Sequence, residues 1–336
     1  MKITVIGGGS WGTAIARLLG NKNHDVNFYM RERDVAEDII KNHENSRFLP
    51  NCTLSTKINI FTNFDQGIKD AEIIVLGVPS DASRIILKDL QDKISSDVII
   101  VNLSKGIEVD TLLRISEVAE EILPHNPFVC LSGPSHAEEV GKDVPTAVVV
   151  SSRDEKASKI VQEEFSTSVF RIYTNSDLVG VEMGGALKNI IALAAGLSDG
   201  LGYGDNTKAA LMTRGIYEMS KLGIEMGAMP QTLNGLSGIG DLIVTCTSMH
   251  SRNRRAGILI GQGKSTEKAC QEIGQVVEGI KTTKSAYLLA QKHRIEMPIT
   301  EKLYQVLYEN QNAKEAVDHL MNREKKEEIE QIFFVS

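Results

Sequence analysis

Lys188 lies within VEMGGALKNIIALAAG (181–196), a segment that is apolar almost all round, and it is the one ionisable side chain between Met183 and Ser198. Its i±4 neighbours are Gly184 and Ala192 and its i±3 neighbours are Gly185 and Ile191, so no carboxylate sits at helical pairing distance. An unpaired lysine on the glycine-lined face of a buried helix should have its pKa lowered by desolvation, which suits it to proton transfer. The small neighbours leave room for a ligand against the backbone, and Asn189, the next residue, is placed to hydrogen-bond the same ligand.

Phosphate chemistry is suggested further along. Asp241 and Thr245 are four apart in GIGDLIVT and share a face if that segment is helical. Ser251-Arg252-Asn253-Arg254-Arg255 follows, and a basic cluster at a helix start suits a phosphate monoester: Arg252 offers a two-pronged fork, while Ser251, Asn253 and backbone N–H groups complete the shell. Two loops after strand-like runs add to the set. Asn102-Leu103-Ser104-Lys105-Gly106 aims Lys105 over the strand ends, and Ser132-Gly133-Pro134-Ser135 presents Gly133 backbone and the Ser135 hydroxyl to the same place.

The partner of these groups is indicated by MKITVIGGGSWGTAIARLLG at the start of the chain. Gly7, Gly9 and Gly12 form G-x-G-x-x-G between an apolar strand (Ile3, Val5, Ile6) and an apolar helix (Ala14, Ile15, Leu18, Leu19). In such a unit the first glycine makes the tight turn, the second lets backbone approach a pyrophosphate, and the third lets helix and strand pack closely. The phosphates sit on the helix N-terminus, where unpaired N–H groups and the positive end of the helix dipole converge. After the second strand (26–30) come Arg31, Glu32 and Arg33. Arg31 and Arg33 can pair with a 2′-phosphate and Glu32 can hold a 2′-hydroxyl, so the balance favours NADPH over NADH without excluding either.

The elements that position these residues fall into two textures. Strand-like runs at 58–61, 72–78, 98–101, 128–131, 146–150 and 170–173 alternate with helical patterns such as 82–90 and 112–123. This half is an α/β, doubly wound, mostly parallel Rossmann sheet, assigned to residues 1–180. After about residue 176 long Ala-, Leu-, Gly- and Lys-rich segments continue, so residues 181–336 are assigned to an all-helical substrate-binding and catalytic domain. The charged stretch 323–330 reads as a solvated helix face and the apolar end 332–335 has no evident role.

Composition removes several classes of function. With 336 residues, 24% charged and 42% hydrophobic, the chain is an ordinary globular protein of two domains. A net charge of −7 argues against a nucleic-acid surface. Cys52, Cys130, Cys246 and Cys270 are scattered, as reduced thiols of a cytoplasmic protein would be, and there is no zinc spacing, so no metal site is expected. No apolar run is expected to reach membrane-spanning length and no leader is evident. Gly196-Leu197-Ser198-Asp199-Gly200 matches G-x-S-x-G but follows a helix, so it cannot be a nucleophile elbow.

Several segments together resemble the bacterial NAD(P)-dependent sn-glycerol-3-phosphate dehydrogenase family over almost the whole chain: GGGSWGTA, Asn45-x-x-Phe48-Leu49-Pro50, Ser104-Lys105-Gly106, LSGPSHAEEV, GVEMGGALKNIIALAAGLSDGLGYGDN, GIGDLIVTCTSMHSRNRRAG, IGQVVEG and MPITE. The resemblance implies a C-terminal domain of the 6-phosphogluconate-dehydrogenase-like type. It also implies reversible interconversion of dihydroxyacetone phosphate and sn-glycerol 3-phosphate with NADH or NADPH, a cytoplasmic homodimer, and a supply of glycerol 3-phosphate for phospholipid synthesis. Carried over by position, Lys188 is the catalytic proton donor or acceptor. Ser10, Trp11, Arg31, Ala137, Val276 and Glu278 then contact the cofactor, as do Lys105 and Arg252. Lys105, Gly133, Ser135, Asp241, Ser251, Arg252 and Asn253 belong to the substrate. Two rivals are a β-hydroxyacid-type dehydrogenase, which would place a carboxylate on the basic cluster, and a catalytically silent NAD-sensing module, which has no use for an unpaired lysine beside it.

Overall fold

The computed structural model describes residues 1–325, 327 and 328. The first half is built on β1 (Lys2–Ile6), β2 (Asp25–Tyr29), a small hairpin of β3 (Glu44–Asn45) and β4 (Leu49–Thr53), then β5 (Asn59–Phe61), β6 (Ile73–Leu76), β7 (Ile99–Asn102), β8 (Phe128–Ser132), β9 (Thr146–Ser151) and β10 (Phe170–Asn175). Between them run α1 (Ser10–Asn21), α2 (Arg33–Asn42), α3 (Phe64–Ile68), α4 (Ser83–Leu90), α5 (Ile115–Ile122), α6 (Ala137–Val140) and α7 (Glu155–Phe165). Eight strands form one sheet in the order β10-β9-β8-β7-β6-β1-β2-β5. The chain winds from β1 to one side through β2 and β5, then crosses to β6 on the other, which puts the topological switch point at the carboxyl ends of β1 and β6. β6 reads IIVL and is buried throughout, as a strand covered by helices on both faces must be.

The last two strands run against the other six. β9 pairs antiparallel with β8, and β10 follows β9 in parallel. β10 therefore ends at the sheet edge opposite the switch point, and the chain must climb back. It does so in α8 (Leu178–Gly200), whose start packs on Cys130 and Val149. Lys188 is ten residues along it, a rise of about 15 Å, which returns its side chain to the level of the strand carboxyl ends.

The second half is helical, as expected: α9 (Asp205–Glu225), α10 (Pro230–Leu233), α11 (Asp241–Thr247), α12 (Arg252–Gly261), α14 (Glu278–His293) and α15 (Pro298–Tyr308) pack on α8, while α13 (Thr266–Ile273) packs on α12 and α16 (Ala313–Met321) on α15. A single π turn, Leu236–Gly240, leads into α11. α8 and α12 approach closely because glycine faces glycine. A Cβ on Gly196 would lie 2.0 Å from the Arg254 carbonyl oxygen, and one on Gly257 would lie 2.1 Å from that of Leu193.

Three expectations need correction, and one pair of strands is additional to them. α8 is long and apolar enough to cross a membrane by length and composition, against the expectation that no run would be, yet 94% of its most apolar stretch is buried as the core of the helical half. The helix expected from 112 begins at Ile115, because Arg114 caps it in partnership with Glu117. The β3–β4 hairpin was not anticipated, since two short strands carry too little alternation to be read. The helix face expected over 323–330 is absent from its described residues: α16 ends at Met321, and 323–325, 327 and 328 are exposed, with no apolar face to dock. The apolar end 332–335 lies outside the described residues.

Candidate active site

A cleft of about 490 Å³ opens at the switch point. Gly7, Gly9, Ser10, Trp11, Arg31, Lys105, Ser135, Ala137, Lys188, Asn189, Asp241, Thr245, Ser251, Arg252, Asn253, Val276 and Glu278 all line it. Of the residues expected at the site, Arg33 does not line the cleft, being exposed as the first residue of α2, and Gly12 and Gly133 stand back from its wall, each for a local reason. A Cβ on Gly12 would lie 2.1 Å from the Gly7 carbonyl oxygen, which is the close helix-to-strand packing that position requires. Gly133, at φ +127°, turns its carbonyl to Lys105.

At one end the groups suit a dinucleotide. Gly7 adopts φ +115°, and a Cβ there would lie 2.5 Å from the Gly77 carbonyl oxygen at the end of β6. Gly9, by contrast, faces open space, with no atom within 4 Å of where its Cβ would be. It N-caps α1 without any side-chain cap, and the first turn carries no acidic residue, so the N–H groups and the positive helix end are free to meet an anion. The Trp11 indole nitrogen is buried without a partner among the described residues. These features fit a nicotinamide dinucleotide. Arg31 and Glu32 both face the cleft at the end of β2, and Arg31 is exposed.

At the other end two lysines share one carboxylate. Asp241 opens α11, is 2% exposed, and receives Lys188 Nζ on Oδ1 at 2.8 Å and Lys105 Nζ on Oδ2 at 2.7 Å. The expectation of an unpaired Lys188 is therefore corrected: its counter-charge comes from 53 positions away rather than from its own helix. Thr245 donates to the Asp241 carbonyl at 2.6 Å and accepts from Lys188 Nζ at 2.8 Å. Burial brings the Lys188 pKa down to about 8, assisted by the Lys105 charge and opposed by Asp241. Burial alone would raise the Asp241 carboxyl, but the two ammonium groups outweigh it and hold it below its ordinary value.

The donors of the two lysines are not equally committed. Lys105 donates to Asp241, to the Gly133 carbonyl at 2.9 Å and more weakly to Ser135 Oγ at 3.4 Å, which occupies its three N–H groups. Lys188 has two acceptors among the described residues, leaving one N–H for a ligand oxygen.

The glycine face of α8 is not a ligand groove. A Cβ on Gly184 would meet Ser237 backbone at 3.0 Å and one on Gly185 would meet Ser132 Oγ at 2.6 Å, so protein already fills it. Asn189 is likewise engaged: Nδ2 donates to the Lys105 carbonyl at 3.1 Å, and Oδ1 accepts from Asn253 Nδ2 at 2.8 Å. Asn253 Oδ1 accepts from Gly279 N–H, so this amide chain ties α8, the Lys105 loop, α12 and α14 together. The basic cluster also divides. Arg254 turns away to pair with Asp199 at 2.8 Å, while Arg252 faces the cleft with no hydrogen bond or ion pair among the described residues. Ser251 caps α12 by accepting from Arg254 N–H, which leaves its hydroxyl proton and the helix N-terminus directed to the same region. Burial lowers the Arg252 pKa, with Glu278 opposing.

Other residues in or just behind the wall lie outside the sequence reading. Ser80, just after β6, donates both N–H (3.0 Å) and Oγ–H (2.7 Å) to Glu278 at the start of α14, joining the two halves across the cleft. The carboxyl-end rule applied to β6 would have found it. His136 and His250 stand 5.8 Å apart, and burial together with the Lys188 charge lowers the His136 pKa. Phe48 comes from the unanticipated hairpin.

Comparison with known proteins agrees along the chain. Residues 2–158 match the family described as NAD-dependent glycerol-3-phosphate dehydrogenase N-terminus, and residues 177–318 the corresponding C-terminus. A protein of Thermoanaerobacter sp. (strain X514) named glycerol-3-phosphate dehydrogenase [NAD(P)+] is 54% identical over 329 residues, 98% of this chain and 99% of that one. One of Clostridium tetani with the same name is 52% identical over 97% of this chain and 93% of that one. The crystal structure of glycerol-3-phosphate dehydrogenase from Coxiella burnetii superposes with a TM-score of 0.93 at 38% identity, covering 96% of this chain and 99% of that one.

Proposed function

The chain belongs to the NAD-dependent glycerol-3-phosphate dehydrogenase family, and we infer that it is an oxidoreductase interconverting dihydroxyacetone phosphate and sn-glycerol 3-phosphate with NADH or NADPH, with Lys188 carrying the proton. One observation supports the assignment of roles above all others. A buried carboxylate, Asp241, clamps two lysines in the same cleft as Arg252, which has no partner among the described residues, and that cleft is continuous with the glycine turn.

Gly7, Gly9, Ser10, Trp11 and the N-terminus of α1 hold the pyrophosphate side of the dinucleotide, and Arg31, Ala137, Val276 and Glu278 line the rest of its path. When bound, the reduced nicotinamide supplies a hydride. Arg252, Ser251 and the N-terminus of α12 hold the substrate phosphate. The free N–H of Lys188 reaches the C2 oxygen, stabilises the negative charge that gathers there, and passes its proton to it. Asp241 keeps Lys188 charged before transfer, and Lys105, anchored by three acceptors, fixes the orientation of Asp241. In the reverse direction neutral Lys188 accepts the proton from the C2 hydroxyl. With its pKa brought to about 8, both forms are accessible near neutral pH.

Arg31, exposed at the end of β2, supports a preference for NADPH. The division into a cofactor-binding unit, 1–180, and a helical unit, 181–336, draws support from the end of the sheet at Asn175 and the start of α8 at Leu178, which lie within a few residues of that boundary. Family resemblance supports a cytoplasmic homodimer supplying glycerol 3-phosphate for phospholipid synthesis. The direct test is oxidation of NADPH and of NADH by the purified protein with dihydroxyacetone phosphate. Turnover with at least one supports the reading, and none with either rejects it.

A further inference from the structure

Asn45 is fully buried, sits on the hairpin rather than in the cleft wall, and makes three side-chain hydrogen bonds. Its Nδ2 donates to the Gly8 carbonyl at 2.8 Å and to Thr13 Oγ1 at 2.8 Å, while its Oδ1 accepts from Phe48 N–H at 3.2 Å. Thr13 Oγ1 in turn donates to the Gly9 carbonyl at 2.8 Å. Two consecutive carbonyls of the glycine turn are thus held, one directly and one through Thr13.

A trans peptide points its C=O and N–H in opposite directions. Anchoring the Gly8 oxygen on Asn45 therefore aims the N–H of Gly9 the other way. No protein acceptor for that N–H is present among the described residues, and the space around Gly9 is open. A Gly-Gly peptide unit has little intrinsic preference for one orientation, because neither residue carries a Cβ. Flipped, it would present a carbonyl oxygen to the phosphates and repel them.

We propose that Asn45 is a positioning residue for the cofactor: by gripping the Gly8 carbonyl it fixes the donor-outward orientation of the glycine turn. The hairpin is then a brace on the turn, with Asn45 as its point of attachment. This rests on the dinucleotide reading of the cleft.

The test uses the full chain with Asn45→Ala and the near-isosteric Asn45→Leu, neither of which adds charge. Calorimetry would measure binding of NADPH and of adenosine 2′-phosphate, which lacks the pyrophosphate, alongside thermal melts and the KM for dihydroxyacetone phosphate at saturating NADPH. NADPH affinity should fall about 10- to 100-fold, the change that losing one partner of a buried hydrogen bond generally brings. Adenosine 2′-phosphate binding and the substrate KM should stay within about twofold of wild type, since neither involves the Gly9 N–H. Asn45→Leu fills the space and covers the case in which the alanine cavity unfolds the hairpin. NADPH binding unchanged in a folded variant, or equal loss for both nucleotides, overturns the role of Asn45. A wild-type protein that binds no NADPH overturns the dinucleotide reading itself.

Discussion

Lys188 Nζ rests 2.8 Å from Asp241 Oδ1, inside a core where both side chains are almost completely shielded from water. The pair is not neutral in effect, because Lys105 binds the other carboxylate oxygen and two positive charges lean on one negative charge. Desolvation and the second lysine together make the Lys188 proton easier to release, while Asp241 keeps it from being lost outright.

Replacing Lys188 with Met keeps much of the length and apolar stem but removes the transferable proton. Asp241 keeps Lys105 as partner, so no buried charge is orphaned and NADPH binding should survive. Turnover should fall by about 10² to 10⁴-fold, the usual contribution of a general acid or base, with loss of the charge near the alkoxide adding to it. Full activity in this variant would move the proton donor elsewhere.

The pH profile follows from the same pair. Reduction needs the ammonium form of Lys188, so its rate should fall as pH rises through about 8, and oxidation should rise over the same range. Asp241 raises the Lys188 pKa, so Asp241→Asn should shift both limbs to lower pH and also lower the melting temperature, since the buried Lys188 and partly buried Lys105 ammonium groups lose their counter-charge. Rate profiles in both directions check this. A limb that stays in place belongs to another group.

Arg252→Ala should weaken transition-state binding of dihydroxyacetone phosphate by about 2 to 5 kcal/mol, the loss expected when one partner of a buried charge pair is removed. Unphosphorylated dihydroxyacetone should be almost equally poor with both proteins. Unchanged kcat/KM for the phosphorylated substrate would show that the cation facing the cleft does not hold the phosphate.

Arg31→Ala separates the cofactors. The KM for NADPH should rise much more than that for NADH, because only the former offers a 2′-phosphate. Equal effects would leave Glu32, on the same loop, as the group that meets the ribose.

Glu218 on α9 is a stability device away from the cleft. Its buried carboxyl accepts from Ile299 N–H at 2.6 Å and from Thr300 N–H and Oγ1–H at 3.1 Å each, capping α15. Burial nonetheless pushes its pKa from 4.5 up to about 7. A raised folded-state value means the folded protein holds this proton more tightly, so the stability it confers is complete below 4.5 and is lost as pH rises through about 7. Glu218→Gln should flatten that decline in thermal melts across the interval. Parallel curves for the two proteins would assign the titration elsewhere.

Local pattern carried a large part of this protein. The glycine spacing after β1, the β-branched runs and the all-round apolar helix each report which faces must be buried or which backbone must come close. Such properties are written within a few residues, so the sheet, the glycine turn, α8 and the basic start of α12 were legible in the chain alone. The sequence around Lys188 shows its buried environment but not its partner, because no rule of helical spacing reaches across to Asp241.

Tertiary structure decided which distant groups meet. Asp241 joins Lys105 across 136 positions, Glu278 reaches Ser80 across 198, and Arg252 separates from Arg254 although the two are neighbours but one. The reversal of β9 decided that α8 starts at the far edge of the sheet and delivers Lys188 to the strand ends. Periodicity states how much of a side chain must leave water. Which charge then waits for it depends on the direction of a strand and the close approach of two helices, and those are settled only when the whole core packs at once.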